Sequence, residues 1–246
     1  MKLVGAISLG VGACAAVGLI VVQMVSAQPQ RFATEARTFT DVTRGLNGTW
    51  TLKQRSNPDG TPYRSKLQGV TYISVTRRNG DTLGPHATAT LYSKESGIAD
   101  THFYNYPPEI ANKPFTMESS GTWLIHNVQN TAQGAEISAR VFAMTKGDLQ
   151  AYKNGMVLTA DIRYRVSRAP ARPGAAAVIP RLEVATVNPG ELTDFSGARI
   201  DPTSMTRACC GMSNFTVFQD VMDITWSNKG KDVWVKSSPT VPVAFR

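Results

Sequence analysis

GVTYISVT, residues 69–76, decides the fold class. Side chains of an extended chain alternate between two faces, so Thr71, Ile73 and Val75 share one side and Val70, Tyr72, Ser74 and Thr76 the other. β-Branched and aromatic residues fill both faces, as a pleated, half-buried surface favours. The same grammar recurs outward from this stretch. GTWTLKQ, ATATLYS, GTWLIHNV, AEISARVFAM, MVLTADIRYRVS, RLEVATV, FTVFQ, MDITWS, DVWVK and VPVAF all read as strands. Turn formers separate them, among them NPDG, RNGD, AQG, KNG, NPG and NKGK. Asn79-Gly80 and Asn154-Gly155 are dipeptides of the kind two-residue hairpins use, because they accept positive φ cheaply. The pattern predicts an all-β protein, an antiparallel β-sandwich or barrel of many short strands, with an N-terminal arm or short helix and a smaller C-terminal β block.

Two segments interrupt the grammar. In residues 28–46, Phe32, Ala36, Phe39 and Val42 or Thr43 fall at helical spacing with Gly45 placed to end a helix, while the many threonines suit an extended arm. Residues 168–180 are rich in Pro, Ala and Arg, have neither period, and read as a linker or long loop. The expected organisation is therefore an arm at 28–46, a main antiparallel domain at 47–167, the linker at 168–180 and a C-terminal extension at 181–246 packed on the main domain. NGTWTL (47–52) returns as SGTWLI (120–125), each followed by a Gly-Asp turn. A decayed duplication and a coincidence both fit.

The first 27 residues differ from the rest. One Lys, a long apolar stretch and Val25-Ser26-Ala27 predict a secretory signal peptide cleaved after Ala27, with an uncleaved N-terminal anchor as the rival. Either way the remainder leaves the cytoplasm, and a secreted, periplasmic or cell-surface location is expected. The chain carries 26 Lys and Arg against 18 Asp and Glu, a formal charge of +8. Such an excess favours acidic glycans or a membrane surface as neighbours. No Lys/Arg run is dense enough to predict nucleic-acid binding.

The three cysteines are Cys14, Cys209 and Cys210. Once a signal is removed, Cys209 and Cys210 have only each other or another chain. Adjacent Cα atoms sit about 3.8 Å apart across a trans peptide, closer than a relaxed disulfide wants. Inter-chain pairing avoids that strain, and an inert reduced pair stays open. Met205 and Met212 flank the pair with soft sulfur donors of the kind Cu(I) prefers, at no recognised spacing. His86, His102 and His126 show no metal-ligand spacing with Asp100 or Glu109, so no metal or cofactor is expected. No G-x-S-x-G is present, and distant acid pairs leave no sequence trace. The sequence predicts no catalytic activity. Phe103, Tyr104 and Tyr106, in a proline-pinned loop, are candidate ligand or glycan contacts or simply packed aromatics. Arg163 and Arg165 share one face of a strand, with Tyr164 and Val166 on the other. Asn47-Gly48-Thr49 and Asn214-Phe215-Thr216 are glycosylation sequons.

FTDVTRGLNGTWTL, with Gly48 and Trp50, resembles the start of a lipocalin-type barrel. There a short helical turn precedes Gly-x-Trp on the first strand and a late-strand Arg packs over the Trp. The resemblance implies an antiparallel barrel over 39–167 holding a small apolar ligand, with Arg163 or Arg165 over Trp50. Two function classes follow. The first is an exported structural or assembly protein that self-associates into a filament, surface layer or membrane-associated complex through its arm (Phe32, Phe39, Val42). The second is a secreted binding module, lipocalin-like or glycan-directed.

Overall fold

The computed structural model describes residues 45–77, 87–100, 111–132, 134–148, 153–170, 172–173, 178–201, 212–226 and 228–245. Ten strands follow in order: β1 (Gly48–Ser56), β2 (Leu67–Arg77), β3 (Ala87–Ile98), β4 (Pro114–Thr131), β5 (Gly134–Gly147), β6 (Met156–Pro170), β7 (Val178–Thr193), β8 (Met212–Phe218), β9 (Val221–Trp226) and β10 (Lys231–Ser238). Each pairs antiparallel with its sequence neighbour, and β10 returns to pair with β1 from Thr49↔Ser238 to Ser56↔Lys231. The sheet is thus a closed barrel, which settles the sandwich-or-barrel alternative. The strands are not uniformly short: β4, with 18 residues, and β7, with 16, are long staves.

The alternation at 69–76 holds. Thr71, Ile73 and Val75 are buried and point inward, while Val70, Tyr72, Ser74 and Thr76 face out. The outer wall carries cross-strand ion pairs, Lys94–Glu118 at 2.9 Å, Arg140–Asp161 at 2.9 Å and Arg165–Glu183 at 3.3 Å. The Tyr72 and Tyr92 rings stack outside the barrel. Inside, Trp50, Ile73, Val75, Ile125, Ile137, Val166, Leu182, Val217, Met222 and Trp234 form the main apolar cluster. A second, around Phe115, Met156 and Leu192, sits toward the end where β1 finishes. A membrane barrel has the reverse arrangement, an apolar band outside and a polar lumen. No helix among the described residues is long and apolar enough to cross a membrane.

Bulges bend the staves round the barrel. One in β1 falls between Leu52 and Gln54, and one in β4 between Ile125 and Asn127 leaves His126 exposed. The first puts Arg55, not Gln54, in phase with Leu52 on the inner face.

Four readings change with the structure. Residues 181–246 are not an extension packed on a finished domain: they supply most of β7 and all of β8–β10, and the barrel does not close without them. Both ends of the 168–180 stretch are ladder, with Arg168↔Pro180, Ala169↔Ile179 and Pro170↔Val178 paired. VPVAF is no strand: Val243–Phe245 forms a 3-10 turn, where Pro242, lacking an N–H, cannot join a ladder. Asn154-Gly155 is no two-residue hairpin but the end of the longer β5–β6 connection. Its Gly155 has φ +71° and lies under the Phe195 ring, where a Cβ would meet carbon at 2.4 Å. The two Gly-Thr-Trp strands, β1 and β4, lie three staves apart and so run in opposite directions; a duplication relating them would have to turn the barrel end over end.

The signal segment, the arm with Phe32, Phe39 and Val42, the aromatic loop with Phe103, Tyr104 and Tyr106, and Cys14, Cys209 and Cys210 lie outside the described residues.

Candidate functional site: a hydroxyl row and a buried charge cluster

At the rim where β1 begins, Gly45 and Leu46 are helical and Trp50 is fully buried. Its indole N–H donates to the Leu46 carbonyl at 3.0 Å. The cation over its ring is neither Arg163 nor Arg165, which point to solvent from β6. It is Lys236 of β10, its Nζ 4.8 Å from the ring centroid and donating to the Gly45 carbonyl at 2.9 Å. Burial lowers the Lys236 pKa, opposed by the Asp220 carboxylate. The Asn47 Oδ1 accepts the Val75 N–H at 2.5 Å, so this sequon asparagine pins the helical turn to β2.

Farther in, a row of hydroxyls crosses four staves as two hydrogen-bonded pairs. Thr71, Ser93, Ser119 and Thr145 are successive cross-strand partners on β2, β3, β4 and β5, all in the inward phase. The Thr71 hydroxyl donates to Ser93 at 2.9 Å, and Ser119 and Thr145 share a hydrogen bond of 2.9 Å. Thr71 is buried; the other three are half-buried. The next row is apolar: Ile73, Leu91, Gly121, Ala143 and Leu158 are cross-strand partners in turn, all but Ile73 half-buried. Inward positions of a packed barrel are filled to exclude water, with bulky side chains where there is room. Here the inner wall of β3–β5 carries Ser, Gly, Ala and Thr and keeps accessible surface.

On the other side of the hydroxyl row lies a charge cluster. Arg55 grips Asp232 with two nitrogens, Nε to Oδ1 at 2.6 Å and Nη2 to Oδ2 at 2.5 Å. Its Nη1 faces Glu95 Oε2 at 3.0 Å. All three side chains are at most 5% exposed. That Oε2 pairs by charge but accepts no aligned hydrogen bond. Burial, reinforced by Asp232, raises the Glu95 pKa against the pull of Arg55. Nearby, the Tyr63 hydroxyl donates to the Ile98 carbonyl at 2.6 Å and accepts from the Asp100 N–H at 3.0 Å. Burial pushes its pKa up to about 12. Asn57 Oδ1 and the indole nitrogens of Trp123, Trp226 and Trp234 are also buried without hydrogen-bond partners. Each such atom costs about 1–3 kcal/mol unless something else meets it.

The raised pKa of Glu95 fixes a pH dependence. A group that holds its proton in the fold after the unfolded chain has released it makes stability fall as pH rises. The fall starts at the unfolded carboxyl value, about 4.3, and ends where Glu95 ionises in the fold. Glu95→Gln is expected to flatten that decline, so the melting-temperature gap between variant and parent widens in the variant's favour with pH. Parallel curves across that range would mean Glu95 stays ionised.

The described wall is not evenly paired. β6 and β7 pair along almost their whole length, but β7 and β8 share only Arg181↔Phe218, Leu182↔Val217 and Glu183↔Thr216. Beyond Glu183, the β8-facing side of β7 has no ladder partner among the described residues. Tyr164 and Phe215 meet edge to face across this seam, 6.5 Å between centroids.

The site residues expected from the sequence lie outside the described residues, and Arg55, Glu95 and Asp232 were not among them. Glu95 and Asp232 left a trace all the same, since each is a charge in the apolar phase of its strand. Among the described residues no cluster of His, Cys, Asp and Glu could hold a metal ion. No family model, curated protein or solved structure matches this chain.

Proposed function

We propose that this chain is an exported binding protein that carries a small, largely apolar molecule inside its barrel. The observation that supports this most is the half-buried inner wall of β3–β5, where Ser93, Ser119, Ala143 and Thr145 place small side chains that keep accessible surface. Barrels with such interiors accommodate ligands in their mouths and lumens. Titration with the neutral fluorescent probe phenylnaphthylamine tests the reading. Saturable, stoichiometric uptake is expected, and Ala143→Phe, which fills the wall, should remove it while the protein stays folded by circular dichroism. Absence of saturable uptake by the parent would sink the proposal.

A second reading, a subunit of an extracellular assembly, draws on the outer face of β5. Phe142 and Met144 are 43% and 50% exposed on the outer face of β5, and large exposed apolar groups mark contact surfaces. Light scattering separates the two: a monomer favours the carrier, and a defined oligomer that Phe142→Ser disperses favours the assembly.

A further inference from the structure

We propose that the ligand is an uncharged amphiphile, an alkyl or ring body with a hydroxyl-bearing head, whose head lies on the row Thr71–Ser93–Ser119–Thr145. This rests on the carrier reading above. Four staves bring one hydroxyl each into an unbroken cross-strand row. The two internal hydrogen bonds use two of the four hydroxyl protons. The row therefore keeps two O–H donors and several lone pairs facing the lumen, a set that matches a head which both donates and accepts. The apolar row Leu91, Gly121, Ala143 and Leu158 runs alongside for the body.

The charge cluster beside the row excludes an ionised head. One guanidinium, that of Arg55, stands among the three buried carboxyls of Glu95, Asp100 and Asp232, so the neighbourhood carries no positive excess. A carboxylate or phosphate would enter against that charge and lose its water. A cation fares no better, because the Arg55 guanidinium already occupies the place between the Asp232 and Glu95 carboxyls. The positive surface of the chain as a whole thus says little about what its interior selects.

The experiment compares four probes with one alkyl chain on the full-length protein, by calorimetry below their micellar concentrations: dodecanol, monolaurin, laurate and dodecylammonium. Dodecanol and monolaurin are expected to bind, with laurate and dodecylammonium weaker by about tenfold or more, a 1.4 kcal/mol step. Thr145→Val, which keeps the shape and deletes the hydroxyl, should erase most of the alcohol's advantage without weakening laurate. Ser119→Ala supplies the same test should the valine variant fold poorly. Laurate or dodecylammonium binding as tightly as dodecanol, or both variants leaving the preference intact, would overturn the head-group assignment while the carrier reading stands. Failure of all four probes to bind, together with no uptake of phenylnaphthylamine, would remove both.

Discussion

Arg55→Met is expected to lower the melting temperature by roughly 10 °C. The change leaves the Asp232 carboxylate, fully buried and held by two Arg55 nitrogens, with no compensating charge. Breaking a buried pair from one side costs about 3–5 kcal/mol, and a chain of this size loses about 2–4 °C per kcal/mol. The triple variant Arg55→Met, Glu95→Leu, Asp232→Leu is expected to recover most of that loss, because replacing a whole buried ionic cluster with apolar groups of similar volume is often neutral or better. Thermal unfolding of the two proteins gives the answer. A triple variant as unstable as the single one would mean that the cluster is itself needed for the fold, not merely costly to break.

Trp50→Ala is expected to cost about 3–5 kcal/mol, as truncating a buried aromatic does. Trp50 is fully buried, anchors the helical turn through the Leu46 carbonyl and carries Lys236 on its face. Lys236→Met separates these contributions: it keeps most of the aliphatic cover and removes the cation, at an expected cost of about 1 kcal/mol. If Lys236→Met were as damaging as Trp50→Ala, the rim would be held by the amine and its bond to Gly45, with the ring as a bystander.

Local chemistry was legible in the sequence wherever one strand carried the whole message. The two-fold period at 69–76 sorted the residues of β2 into its two faces, though not which one is inner, and the phase of Arg163 and Tyr164 in β6 was right as well. What the sequence could not carry was any partnership between distant strands. Barrel closure depends on β1 meeting β10, and nothing local in GTWTLKQRS or KDVWVKSS announces it. The C-terminal staves consequently looked like a separate block. Arg55 was hidden for a different reason: the bulge at Leu52/Gln54 shifts it onto the inner face, where strict alternation from Trp50 would place its neighbour Gln54. The hydroxyl row was in principle visible, since Thr71, Ser93, Ser119 and Thr145 each occupy the inward phase of a strand. Recognising it required the register between strands, which only the folded ladder supplies. The lipocalin-type resemblance anticipated a cation over the first-strand Trp but pointed to the wrong strand, because Lys236 lies beyond the segment to which the resemblance was applied.

The pairing of the first stave with the last has a temporal side. The Thr51 and Ser237 hydroxyls that meet at 3.1 Å are separated by 186 positions in sequence. Contacts of such separation form late and slowly, since loop closure must precede any gain from pairing. A chain delivered N-terminus first presents β1 with one flank unfilled until the final strand arrives, and an unfilled strand flank recruits other chains. Truncations that remove even β10 should therefore yield not a smaller barrel but an aggregating one, and the order of synthesis becomes a hazard the protein meets every time it is made.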